Sequence, residues 1–175
     1  LFEGITEEQL IPAMFEIFTG GRSMFSLGVS CINVGSVNNY SAFIKLACSF
    51  GIPVFIISDN DGDAKTKVDA QIQKLNDEGV PLNAHSFGVA YCASPNDIEA
   101  ELVNVLKIQD EVKEALFRYE TNDETLNDLA KAAKRAKINA LNDQALIVSM
   151  KRIKTRYSAF LADVIRENPH NKKTN

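Results

Sequence analysis

The chain has 175 residues, a formal net charge of −4, 45% apolar and 24% charged residues. That balance excludes a disordered chain, and no apolar run approaches the roughly 18 residues that cross a bilayer. No basic-then-apolar leader opens it, so a soluble cytoplasmic protein with one core, or one core and a satellite, is expected.

The opening Leu1-Phe2-Glu3-Gly4 lacks an initiator Met and reads as the tail of a strand. The chain is therefore expected to be a piece of a longer protein. Thr6-Glu7-Glu8-Gln9 reads as a capping box, a hydroxyl followed three residues on by Gln. Leu10, Ile11, Met14, Phe15 and Phe18 follow at helical spacing, Pro12 predicts a kink or a loosened first turn, and Gly20-Gly21 a stop. Val29 to Val34 reads as a buried strand and Tyr40 to Phe50 as a helix. Val54 to Ser58 reads as the next strand, Ala64 to Glu78 as a third helix closed by Gly79, and Ala84 to Cys92 as a further strand. Strands alternating with helices predict a parallel α/β sheet, and strands apolar on both faces predict helices on both sides of it. After Asn104 the pattern turns helical over 105–119, 126–141 and 145–165, with Thr121-Asn122-Asp123-Glu124 as a second capping box. The tail from Asn168 to Asn175 is polar and expected to fray.

Cys31, Cys48 and Cys92 have no CxxC spacing and read as reduced core residues; His85 and His170 beside them do not complete a zinc site. The basic charge concentrates in Lys131, Lys134, Arg135, Lys137, Lys151, Arg152, Lys154 and Arg156, a run that fits either a polyanion surface or a solvated helix face.

The segment VFIISDNDGD drives an apolar strand into Asp59, Asp61 and Asp63. Sites in open α/β sheets form beyond the carboxyl ends of strands. Glu3 ends the first strand, and Glu7 lies in the first turn of the following helix, where the helix dipole favours an ionised carboxylate. If the first and third strands are neighbours, Glu3, Glu7, Asp59 and Asp61 converge. Such acids repel one another unless a hard, oxygen-seeking cation joins them. A calcium loop fails on spacing, because Ala64 and Ala70 stand where its Gly and Glu belong. A DxDG-type phosphatase normally carries its motif on the first strand and leaves Glu3 and Glu7 without a role. A solvated Asn/Asp/Gly turn is the third reading. Asp63 begins a helix and fits a cap better than a ligand.

LFEGITEEQLIP, INVGS and GIPVFIISDNDGDA, in that order, resemble the Toprim domain, and more narrowly the Toprim nuclease of the OLD (overcoming lysogenization defect) family. Ser94-Pro-Asn-Asp-Ile-Glu99 and Lys154-Thr-Arg-Tyr157 match that family's later acidic and K-x-R-[FY] segments. The resemblance implies an α/β, Toprim-type parallel sheet flanked by helices with an added C-terminal helical region. It implies a catalytic core over 1–104, a helical subdomain over 105–145, a helical segment over 146–167 that returns Lys154 to the active site, and a disordered tail over 168–175. It further implies a DNA endonuclease using two Mg²⁺ or Mn²⁺ ions, one on Glu3 and Glu7, the other on Asp59 and Asp61 with Glu99 and, as an added ligand or only a helix cap, Asp97. Lys154 would stabilise charge on the phosphate. On a continuous helix it would only flank the apolar stripe and snorkel to solvent, whereas in a loop before a new helix capped by Thr155 it is free to reach phosphate, and the resemblance favours the second. The basic run would hold DNA. An N-terminal ATPase, absent from this chain, would account for ATP use and for any homo-oligomer, and the family is linked to phage defence. The alternatives are a Toprim-fold metal-binding module of a topoisomerase or primase, and the phosphatase.

Overall fold

The structure, a computed structural model, describes residues 1–168. His170 and nearly all of the predicted tail lie outside the described residues. The described chain divides into two compact units: residues 1–8 with 31–101, and residues 9–30 with 102 onward.

The first unit is α/β. Strand β1 (Val54–Ser58) pairs in parallel with β2 (Phe87–Tyr91), Val54 opposite Phe87 and Ser58 opposite Tyr91. On the other edge of β1, Ile57 N–H donates to the Leu1 carbonyl at 2.9 Å. Phe2 in turn forms a parallel bridge with Asn33. The first and third predicted strands are thus neighbours. The predicted strand over 29–34 shrinks to that bridge. The predicted strand from Ala84 begins only at Phe87, because the Asn83 side chain accepts the backbone N–H groups of His85 and Ser86 and makes a turn there. His85 consequently lies in an exposed turn.

Helices α2 (Tyr40–Ser49) and α3 (Ala64–Asp77) cover one face of the sheet. Val54 and Ile56 point into a core with Val34, Tyr40, Ile44, Val68 and Leu75. The opposite face departs from the two-sided expectation: Phe55 is 61% exposed, and its ring lies over Gly88 on β2, where a Cβ would stand 2.8 Å from it. Alternation along β1, not a run buried on both sides, is what five residues of VFIIS deliver.

Helix α1 (Ile5–Phe18) gives its first four residues to this unit. Gly4, whose carbonyl accepts the Glu8 N–H, caps it; Thr6 is already inside the helix and is not the cap the sequence predicts. The helix runs through Pro12 without a break and ends at Gly20 and Gly21, both with left-handed φ.

The second unit is helical, with the remainder of α1, the end of α4 (Ile98–Asn104), and α5 (Gln109–Glu120), α6 (Asp128–Asn139), α7 (Asp143–Arg152) and α8 (Lys154–Glu167). Helix α5 packs along α8, burying Val112, Ala115 and Leu116 with Tyr157, Leu161 and Ile165. The second predicted capping box is not one. Thr121 closes α5 by donating to the Phe117 carbonyl, and Asn127 caps α6 by accepting the Ala130 N–H. Among the described residues no helix is long and apolar enough to cross a membrane.

Candidate metal centre

The carboxyl end of β1 and the start of α1 place the acids of the first unit. Asp59 is the first residue beyond β1, and its Oδ1 accepts the Ile98 N–H at 2.8 Å. Asn60 ties the same turn to the segment after β2: its N–H donates to the Asn96 carbonyl and its side-chain amide to the Cys92 carbonyl, both at 2.9 Å. Glu101 secures that segment from below, accepting from the Ala93 N–H and the Asn96 side chain. Asn60 and Glu101 carried no role in the sequence reading, yet they tie the segment bearing Asp97 and Glu99 to the turn bearing Asp59. The adjacent Asn-rich turns were the only signal of them.

Asp97 Oδ1 accepts the Ala100 N–H at 3.0 Å, the geometry of a helix cap for α4. Glu99 is fully buried, and Thr6 donates its hydroxyl to Glu99 Oε1 at 2.8 Å. Glu7 is buried as well. Two glutamates and a threonine of α1 and α4 therefore lie beneath the sheet end, while Asp61 stands at the surface. Asp63 occupies the N-cap position of α3 without a capping hydrogen bond, and its carboxylate pairs with Lys67 at 2.9 Å. The cap reading therefore holds for its position and not for its side chain.

Electrostatics show which acids feel one another. Burial, then the negative charges of Glu7, Asp97 and Asp61, push Asp59 up to about 7, against the Ile98 hydrogen bond. Burial raises Glu3, with Asp61 adding to it, while the Val37 backbone, the Ser58 hydroxyl and Lys67 pull it down. Tyr40, under the sheet end, donates to the Ile57 carbonyl; burial first, then Glu3, holds its phenol far above the ordinary range, so it is a neutral donor and not a nucleophile. Burial and Asp59 likewise push the Cys92 thiol up to about 12, which keeps it protonated and unreactive.

Among the described residues no group of three or more His, Cys, Asp or Glu side chains stands assembled to hold a metal ion. The carboxylates are electrostatic neighbours without meeting at one point. Their chemistry nevertheless suits a hard cation: every donor is a carboxylate oxygen, and Glu3 Oε1 is buried with no hydrogen-bond partner.

Lys154 is the first residue of α8 in the second unit. The break the sequence allowed falls at Ile153, whose φ of −130° and ψ of 30° separate α7 from α8. Lys154 thus lies on a new helix, but within it and not in a preceding loop. Of the basic run, Lys134 pairs with Glu120, and Arg135 pairs with Glu114 while lying 3.4 Å over the Phe117 ring. Both serve the packing of the second unit, which the charge run by itself did not disclose.

The chain is an α/β protein with a small parallel sheet flanked by helices, and acids from three segments lie near the sheet's carboxyl end. Residues 1–61 match the family model described as Overcoming lysogenization defect protein-like, TOPRIM domain, which supports a Toprim domain of the kind found in OLD-family proteins. Toprim domains generally bind Mg²⁺, and this one points to a nuclease- or primase-type function on nucleic acid. No curated protein and no solved structure matches the chain.

Proposed function

We propose that the chain is the nuclease part of an OLD-type enzyme and hydrolyses DNA phosphodiesters with two bound Mg²⁺ or Mn²⁺ ions. The observation that carries this reading is the burial of Glu7, whose charge raises Asp59 at the sheet end within the Toprim match, and of Glu99 on the helix whose Ile98 N–H bonds Asp59. Buried carboxylates that repel one another are retained where a cation offsets them. Glu3 and Glu7 would hold one ion; Asp59, Asp61 and Glu99 would hold the other, with Asp97 chiefly capping α4. When bound, the ions supply Lewis-acid charge and lower the pKa of water.

The chain's own residues do the rest. Thr6 and the Ile98 N–H orient Glu99 and Asp59. Lys154 offsets negative charge on the phosphoryl oxygens. Lys131, Lys137, Lys151, Arg152 and Arg156 hold the DNA backbone, giving salt-sensitive and largely sequence-independent affinity. A cytoplasmic setting and a role in phage defence accompany this reading, as does an N-terminal ATPase joined to the chain.

The test is Mg²⁺-dependent nicking of a supercoiled plasmid. Glu3→Ala and Asp61→Ala are expected to lose it while keeping the fold by circular dichroism; nicking at the native rate by both sinks the site. Nucleotide incorporation on a single-stranded template, in place of nicking, would make the chain a primase-type module. Lys154→Ala is expected to lower the rate roughly 100-fold with little change in DNA affinity. Loss of affinity alone would reduce Lys154 to a phosphate contact.

A further inference from the structure

We infer that Gly4 is a positioning residue, whose missing side chain leaves the space in which the Glu7 carboxylate is held against the start of α1 and turned toward the metal site. This rests on the reading of Glu7 as a metal ligand.

A Cβ on Gly4 would stand 2.3 Å from Glu7 Oε2 and 3.0 Å from its Cδ. The carboxylate thus occupies the volume that any other residue at position 4 would need. Backbone conformation does not explain the glycine. Gly35 and Gly62 have left-handed φ and open space around the missing Cβ, whereas Gly4 is not among the left-handed glycines.

Ordinary capping does not explain it either. In a capping box the glutamate reaches back to a Ser or Thr, residues that carry a Cβ, so capping alone leaves room for one. Glu7 is only 3% exposed. The position therefore sets where the Glu7 carboxylate can lie. The intruding atom would meet the far end of a flexible side chain and not the backbone. An alanine there should move the carboxylate and spare the fold.

Mn²⁺ alone, titrated by electron paramagnetic resonance or calorimetry into the 175-residue chain, gives a readout independent of cleavage. Gly4→Ala is expected to weaken Mn²⁺ binding roughly tenfold or more, as loss of a ligand's support commonly does, with its thermal midpoint nearly unchanged. Gly4→Ala combined with Glu7→Asp, whose shorter side chain vacates the contested volume, is expected to bind Mn²⁺ more tightly than Gly4→Ala alone. Native affinity in Gly4→Ala overturns the inference, and so does a loss that Glu7→Asp does not relieve. Loss of a cooperative melt in Gly4→Ala overturns it as well, because the clash would then be with the fold. Glu7→Gln separates the two levels. If it binds Mn²⁺ as the native chain does, the metal reading of Glu7 fails and the inference with it. If Glu7→Gln loses binding and Gly4→Ala does not, the role of Gly4 alone fails.

Discussion

Asp59→Asn is expected to make the metal-free chain more stable and, at the same time, unable to cleave DNA. Asp59 is held at about 7 by burial and by Glu7, Asp97 and Asp61, against an ordinary value of 3.8. Between those two values the folded chain keeps a proton that the unfolded chain has lost. Stability therefore falls as pH rises through that window and stays lower above it. The amide carries no charge, and its oxygen can still accept the Ile98 N–H. The gain above pH 7 should be on the order of 1–2 kcal/mol once partial exposure and solvent screening are discounted. Urea melts in EDTA at pH 5 and pH 8 measure it, with the larger difference at pH 8. Added Mg²⁺ should stabilise the native chain and not the variant, by mass action. Nicking should drop by roughly 1,000-fold, the scale of losing a ligand that stabilises charge in the transition state. A variant less stable than the native chain at pH 8 would show that Asp59 is a structural acid.

Thr6 and Glu99 are expected to act as one unit. Their hydrogen bond joins residues 93 apart in the chain, and both are buried. Thr6→Val removes the hydroxyl and leaves Glu99 Oε1 without that donor, at a cost of about 1–3 kcal/mol. Glu99→Gln retains an oxygen for Thr6 and loses the charge, so the fold should stand while nicking falls roughly 100-fold or more. With Glu99→Leu, which removes the acceptor, the losses in the Thr6→Val/Glu99→Leu double variant should fall short of the sum of the single losses by about 1 kcal/mol, the signature of direct coupling. Urea melts of the four proteins give the cycle. Strict additivity would mean that the contact contributes nothing to holding Glu99.

Much of this protein could be read from local pattern. The apolar run ending in Asp59-Asn-Asp-Gly signals a strand and a turn within ten residues, because side-chain hydrophobicity and backbone freedom act over that range. The E-G-x-T-E start did the same for α1, and the resemblance those two stretches carry agrees with the match over residues 1–61. Errors came where one local signal has two uses. A Thr three residues before Gln or Glu can cap a helix or send its hydroxyl elsewhere. Thr6 bonds Glu99 and Thr121 closes the helix before it. A five-residue apolar strand can be buried on two faces or one, and Phe55 shows that here it is one.

Local pattern was enough for the class of fold and the family resemblance, since each depends on residues close together in the chain. Only packing in three dimensions could show which acids are buried, that Asn60 and Glu101 stitch the turn carrying Asp97 and Glu99, and that Lys134 and Arg135 are spent on ion pairs inside the helical unit. Those facts depend on desolvation and on contacts between residues far apart in sequence, and neither has a signature in a short stretch of chain. The acidic stretch after β1 shows the difference. Asp59, Asp61 and Asp63 are three similar residues in the sequence. Folding makes them one carboxylate repelled by its neighbours, one at the surface, and one paired with Lys67.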